Sequence, residues 1–419
     1  MSSTSLRAPT REDAAGLDAR DPLASYRDRF VCDSPSDGVL AYLDGNSLGR
    51  LPRTTVERLH EVVQHEWGGR LIRSWQETWL RLPRQVGDLI GSAVLGAAPG
   101  QVVVADSTSV CLFKALHAAA GLRPGRTVLV AADTDFPTDR YVLQAVAEQR
   151  GMAVRWLAPD PDGGVDPGVL EPALGDDVAV VALSHVDYRS AYVADLVTVT
   201  AMTHAAGAVT VWDLSHSAGS VPVGLDAATV DLAVGCTYKY LNGGPGAPAY
   251  LYAATRHHGD LKQPVPGWFG AADVFAMAAD FTPATGIEQM LSGTPSVLGL
   301  IAVREGVRLV ADAGMVAIAA KATGLTELAI VLADAWLGPL GVTLASPRDP
   351  VLRGAHLVLR HPEARRWSDQ LAADGVIGDF RNPDLWRIGL SPLSTSYFEV
   401  WTAMDTARTV LAELMEERS

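Results

Sequence analysis

The sequence predicts an α/β fold: a large domain built on a mostly parallel seven-stranded sheet flanked by helices, followed by a smaller C-terminal α+β domain. Three observations carry this. Seven short runs rich in Val, Ala and Leu recur between residues 101 and 253, helical patterns separate most of them, and the alternation stops near Pro295. Strands covered on both faces read as continuous apolar runs, and parallel neighbours need a crossover, usually a helix, between them.

Residues 1–25 are polar and are expected to be partly without regular structure. VLAYLDGNSLGRLP (39–52) reads as a short strand and an Asn/Gly/Pro-rich loop, and a long helical pattern begins near Thr54 with VERLHEVVQHEW. The strand candidates are QVVVAD, RTVLVAAD, AVRWLAP, VAVVALSHV, VTVWDLSH, DLAVGCTY and PAYLYA; SVCLFKALHAAAG, TDRYVLQAVAEQRG and LVTVTAMTHAAG supply helices between them. Beyond Pro295 the pattern gives a long helix to about Ala320, a second near 322–336, the segments HLVLRH and DLWRIGLS, and a last helix near 398–417. The expected organisation is an N-terminal arm (1–53), a large domain (54–295) and a small domain (296–419).

A net charge of −14 argues against a nucleic-acid or anionic-membrane surface. The three cysteines, Cys32, Cys111 and Cys236, are far apart and show neither metal spacing nor a disulfide framework. The polar N-terminus does not read as a signal peptide, and no apolar run reaches bilayer length. A cytoplasmic protein is expected.

In a parallel sheet, ligands sit beyond the C-terminal strand ends. Asp106–Ser109, Phe136–Asp139, Ser184–Tyr188, Asp213 and His216 all fall there. Lys239, one of only four lysines with Lys114, Lys262 and Lys321, lies in GCTYKYLNGGPGAP among apolar residues. Burial disfavours the ammonium form, which suits a Schiff-base amine. Asp213, 26 residues earlier, could keep a pyridine nitrogen protonated. DSTSV (106–110) offers hydroxyls and N–H groups at a helix start, fit for a phosphate or for plain capping. Phe136 could stack on a planar ring, and Arg387 in DLWRIGLSP needs an anion, either a substrate carboxylate or an internal partner. Neither a GxSxG elbow nor HExxH is present. A desulfurase would need a cysteine on a mobile loop, and neither Cys111 nor Cys236 suits that role.

These residues resemble the kynureninase family of pyridoxal-phosphate enzymes, within the class V aminotransferase-like group of fold type I. The resemblance lies in YLDGNSLGRLP, EWGGRLIRSW, VADSTSV, DFPTDRYVL, LSHVDYRS, WDLSHSAGSVPV, AVGCTYKYLNGGPGAPAYLY, PGWFG, GTPSVLG and GDFRNPDLWRIGLSPL, colinear from about residue 42 to 397. It implies pyridoxal 5'-phosphate held as a Schiff base on Lys239, with Asp213 at the pyridinium nitrogen and His216 and Tyr238 lining the cofactor. It implies a phosphate site at Thr108 and Ser109, ring contacts from Phe136, Pro137, Thr138, Asp139 and Ser184, and Trp268 and Thr294 reaching the phosphate from a partner in a homodimer. Arg387 would bind the substrate carboxylate, with Trp75, Asn46 and Tyr188 as further substrate contacts. Lys239, Tyr238 and Asp213 would be catalytic. The implied reaction is hydrolysis of kynurenine or a substituted kynurenine to an anthranilate and alanine. The chain departs from the family pattern at Asp187, Ala191, Ser394 and the EQML segment. Alternatives are an aminotransferase or β-lyase on the same scaffold, or a cofactor-binding protein without activity.

Overall fold

The computed structural model describes residues 8–31 and 38–417; Cys32 lies outside them. A short β1 (Ala41–Tyr42) precedes the sheet strands β2 (Val102–Ala105), β3 (Val128–Ala132), β4 (Ala153–Leu157), β5 (Val178–Ser184), β6 (Val209–Asp213), β7 (Leu232–Gly235) and β8 (Ala249–Ala253). All seven apolar runs become strands of one sheet, in the order β2-β8-β7-β6-β5-β3-β4. Only β8 runs against the others, antiparallel to β2 and β7. The C-terminal ends of β3, β5 and β6 therefore open on one side, beside the turns that follow β2 and β7.

Neighbouring residues along a strand fall into different cores. Val102, Val104, Val130, Trp212 and Ala233 join one cluster, and Val103, Leu129, Val211, Leu232 and Val234 another. This is the two-residue period of a strand with both faces buried. The helix Thr108–Gly121 contributes Leu112, Ala115, Leu116 and Ala119 to the second core, and the helix Leu82–Ile90 adds Leu82, Val86 and Ile90 to the first.

The C-terminal part adds β9 (Thr343–Leu344), β10 (His356–Arg360), β11 (Val376–Ile377), β12 (Asp379–Arg381) and β13 (Leu385–Gly389). Four of these form an antiparallel sheet, β12-β13-β10-β9, while β11 pairs with β1. Their own core holds Leu325, Leu332, Trp367, Trp386 and Leu411.

Three local features differ from the sequence expectation. The long helix ends at Ala313, not near Ala320, because Gly314 takes φ +77°; the next helix is Met315–Leu332. The helix Val297–Ala313 packs in the large-domain core through Leu300, Val303, Val307 and Val310, so the cores divide along the following helix, between Ile318 and Leu325. Residues 11–18 form a helix, with a Thr10–Asp13 capping box. Asp18 at its end accepts hydrogen bonds from Tyr397 N (2.7 Å) and Phe398 N (2.9 Å), capping the final helix Tyr397–Glu416. Such a short helix draws its stability from that docking, which local sequence does not report. Met315–Leu340 is long and apolar enough to span a bilayer, but half of its apolar window is buried in the protein, and Lys321 pairs with Asp21 at 2.7 Å.

One packing detail governs the site. A Cβ on Gly306 would stand 2.1 Å from the Leu241 carbonyl oxygen, and one on Gly49 would stand 2.2 Å from the Lys239 carbonyl oxygen. The turn that carries Lys239 is thus gripped between two glycine backbones. Gly306→Ala is expected to lower stability by about 1–3 kcal/mol through overpacking, read as a shifted urea midpoint with unchanged slope.

Candidate active site

The strand-end loops converge on one side of the sheet, where open α/β sheets bind their ligands. One cavity is lined by Thr108, Ser109, Phe136, Thr138, Asp139, Ser184, Tyr188, Asp213, Ser215, His216, Tyr238 and Lys239. These come from the turns after β2, β3, β5, β6 and β7. Eleven of the twelve were expected from sequence; Ser215 was not. Pro137 starts the helix Pro137–Arg150, where its fixed φ suits the first turn.

Lys239 Nζ lies 3.0 Å from His216 Nε2. Burial lowers the Lys239 pKa below the ordinary lysine value; Cys236 and Asp213 oppose this, and Arg387 adds to it. The His216 pKa is pushed well below that of a free imidazole by burial, then by Lys239, His356 and Arg387. A neutral His216 can therefore accept a hydrogen bond from the lysine. His356, at the start of β10, was missed from sequence because HLVLRH read as a plain strand. Its ring is fully buried 5.3 Å from that of His216, and neither nitrogen has a hydrogen-bond partner.

Asp213 accepts from Ser215 N at 2.7 Å. Beside it, burial raises the Asp139 pKa well above the carboxylate range, and Asp213 and Asp135 raise it further. A side-chain hydrogen bond between Asp139 and Asp213 adds to that upward shift. Asp135 accepts from Ala132 N (3.2 Å) and Ser184 N (3.3 Å), and burial pushes its pKa up to about 7. Phe136 meets Tyr188 edge-on, with centroids 5.3 Å apart.

Arg387, on β13, is 2% exposed. It already has an internal anion: Nε and Nη2 reach the two Asp379 oxygens at 2.9 and 2.5 Å. Nη1 donates to the Tyr188 carbonyl at 2.8 Å and Nη2 to Ser47 Oγ at 3.0 Å. The Asn46 amide, turned to satisfy its neighbours, accepts from Arg387 Nε at 3.0 Å and donates to Asp44. Asp379 lies eight residues from Arg387 in sequence and directly opposite it across the β12–β13 ladder, a pairing that needed strand register to be seen.

Two of the departures from the family pattern fall in one turn. Asp187 Oδ1 accepts from Arg189 N and Ser190 N, both at 2.8 Å, the work an asparagine oxygen would do equally well. Ala191 takes φ +67°, a left-handed conformation that costs a non-glycine residue about 1–2 kcal/mol. Ser394 is buried, its hydroxyl has no hydrogen-bond partner, and it does not line the cavity.

Other expected residues lie apart from that cavity. Thr294 joins Ser107, Thr108, Ser109 and Tyr238 around an adjoining cavity of about 440 Å³. Trp75 packs edge-on against Trp79 and Phe269. Trp268 lines a separate surface depression with Met277 and Phe281, all exposed. Cys111 and Cys236 are buried, and burial pushes the Cys111 thiol up to about 12, so no described cysteine is an exposed nucleophile.

Two family models match: aminotransferase class V over residues 41–335 and the kynureninase C-terminal domain over residues 318–407. A kynureninase of Burkholderia pseudomallei is 41% identical over 411 residues, covering 96% of this chain and 95% of that protein. One from Pseudomonas fluorescens is 39% identical, covering 98% and 96%. Among solved structures, a cysteine desulfurase of Thermococcus onnurineus aligns with TM-score 0.77 at 18% identity, over 98% of this chain and 99% of that one. A C-DES mutant with glycine covalently linked to its PLP cofactor aligns at 0.80 and 16%, over 91% and 98%. At these identities the structural likeness speaks to fold alone.

The cavity's own chemistry fits pyridoxal phosphate. An amine biased toward neutrality stands at Lys239, the hydrogen-bonded acid pair Asp213 and Asp139 lies to one side, and Thr108 and Ser109 open a helix whose first N–H groups lack intrahelical partners. Asp139→Asn keeps a donor toward Asp213 and is expected to bind pyridoxal phosphate within about threefold of the parent, whereas Asp139→Ala, which loses that hydrogen bond, is expected to bind about tenfold more weakly. Cofactor titration of the apo-protein reads both.

Proposed function

The chain belongs to the kynureninase family and is a pyridoxal-phosphate-dependent hydrolase, and on that premise we propose that it cleaves the Cβ–Cγ bond of L-kynurenine or a substituted kynurenine such as 3-hydroxykynurenine. The products are an anthranilate and L-alanine. The observation that carries this reading is the meeting of Lys239, His216, Tyr238 and the Asp213–Asp139 pair in one cavity. Lys239 and Asp213 would hold the cofactor, Thr108 and Ser109 its phosphate. When bound, it supplies an electron sink beside the substrate's α-carbon.

The protein's part is to place and move protons. Lys239, biased toward the neutral amine by burial, removes the proton from the substrate α-carbon. Neutral His216, 3.0 Å away, orients its Nζ. Tyr238 keeps its phenolic proton, since burial and the nearby Cys236 raise its pKa; it holds that proton for the substrate end bearing the γ-carbonyl. Arg387 has five N–H donors, and four are engaged by Asp379, Tyr188 and Ser47. The remaining Nη1 hydrogen and the guanidinium charge serve the substrate α-carboxylate, with Asn46 and Tyr188 beside it.

The working form in this reading is a cytoplasmic homodimer with shared sites. Trp268, Phe275, Met277 and Phe281 are exposed on one segment, and Trp268 stands outside its own chain's cavity, free to complete a partner's. Trp75, which likewise lies outside its own chain's cavity, would border the aromatic end of a substrate in the partner's site.

Incubation with kynurenine and 3-hydroxykynurenine is expected to release a fluorescent anthranilate together with alanine, and Lys239→Ala to release neither. A keto acid or pyruvate in place of those products would overturn the reading in favour of an aminotransferase or a β-lyase. Tyr238→Phe is expected to lower kcat by about a hundredfold or more at unchanged cofactor content. Full turnover by that variant would remove Tyr238 from the proton inventory.

A further inference from the structure

Lys114 is a buried cation that the chemistry above leaves unused. It lies two turns into the helix Thr108–Gly121, and its side chain is 1% exposed. Its ammonium donates to Asp106 Oδ2 at 2.6 Å and to the Met290 carbonyl at 3.0 Å. Burying a charge there is costly unless it is paired, so its presence needs a reason.

Asp106 supplies one. It sits between β2 and the N-cap Ser107 in a left-handed conformation, φ +51°, and its backbone oxygen accepts from Ala249 N at 2.9 Å. Its carboxylate is 28% exposed, and the residue lines the 440 Å³ cavity with Ser107, Thr108, Ser109 and Thr294. A carboxylate in that position would repel a phosphate dianion. It would also be drawn to the same helix-start N–H groups that the phosphate needs. The Lys114 ammonium meets both problems from below. It neutralises Asp106 and holds the carboxylate toward the helix interior. Through Met290 it also ties down the segment that leads to Thr294.

We propose that Lys114 is a positioning residue for the cofactor phosphate, acting by neutralising and withdrawing the Asp106 carboxylate from the phosphate cradle. This rests on the reading that Thr108 and Ser109 hold the phosphate.

The test titrates apo-protein with pyridoxal phosphate and with pyridoxal, which has the ring but no phosphate, following intrinsic fluorescence. Lys114→Met is expected to weaken pyridoxal phosphate by about tenfold or more, from an unscreened like charge nearby, and to change pyridoxal by less than about twofold. The Lys114→Met/Asp106→Asn double variant has no carboxylate left to neutralise. It is expected to recover to within about threefold of the parent, although Met290 still lacks its partner. Asp106→Asn alone, with an asparagine that tolerates the left-handed backbone, is expected to bind pyridoxal phosphate at least as tightly as the parent. Equal losses for both ligands, no loss in Lys114→Met, no recovery in the double variant, or weaker phosphate binding in Asp106→Asn would each overturn the proposal. If Lys114→Met does not fold, the double variant and Asp106→Asn decide it. Ser109→Ala tests the underlying reading by itself: selective loss of pyridoxal phosphate supports the phosphate position, and no loss removes that position and the role of Lys114 with it.

Discussion

Everything at the site hangs on how the turn after β7 is held. An amine that must be neutral part of the time has to be buried, yet a lysine has a long, flexible stem, and only a fixed backbone can aim it. The Lys239 carbonyl accepts from Asn242 N at 2.9 Å, the Tyr238 carbonyl accepts from Gly49 N at 2.8 Å, and Gly243 N returns to Thr237 O at 2.8 Å. Thr237 Oγ1 ties the turn to Pro248 O at 2.7 Å, and Asn242 adopts φ +54° to close it. Gly49 and Gly306 press against the same backbone from two sides. The N-terminal arm and the helix Val297–Ala313 are thereby in contact with the segment that positions one nitrogen atom.

The charges around that nitrogen are arranged in pairs. Asp139 lies against Asp213, and burial together with that neighbour raises its pKa well above the carboxylate range. Asp135 is held near neutrality by the same burial. His216 and His356 stay uncharged beside Lys239 and Arg387. Arg387 is balanced by Asp379, and Asp44 behind them is pushed up to about 6, by burial first and then by Asp379. The buried charges at this site are thus each met by a neighbouring group, Arg387 by Asp379 and Lys114 by Asp106.

The sequence made the large sheet legible because central parallel strands are buried on both faces and leave unbroken apolar runs. The strand-end polar residues were legible for the same reason: Asp213 and Ser184 interrupt such runs where a ligand crevice must lie. What stayed hidden depended on contacts distant in sequence or on register. The helix at residues 11–18 exists by docking on Tyr397–Glu416. The Asp379 partner of Arg387 appears only when β12 lies against β13. His356 reads as an ordinary strand residue until β10 brings it against His216. Trp75 and Trp268 are aromatic and lie in matching motifs, yet neither lines the cavity that holds Lys239.

The departures at Asp187 and Ala191 look at first like changes in substrate recognition, and their positions argue otherwise. Both belong to the turn 187–191, in which Arg189 N, Ser190 N and Ala191 N all bond back to Asp187. The Asp187 carboxylate spends Oδ1 on backbone donors within that turn, and burial raises its pKa. Ala191 strains the backbone but lies fully buried, and its carbonyl accepts from Gly354 N at 2.8 Å, next to the strand that carries His356. The turn meets the site through the Tyr188 side chain, which lines the cavity, and through the Tyr188 carbonyl, which accepts from Arg387 Nη1 at 2.8 Å. These substitutions lie in a turn that bonds to Arg387 and Gly354 of the C-terminal part. They leave the shape of the pocket beside Lys239 to Phe136, Tyr188 and Tyr238, and those side chains are the ones that would tell one kynurenine from another.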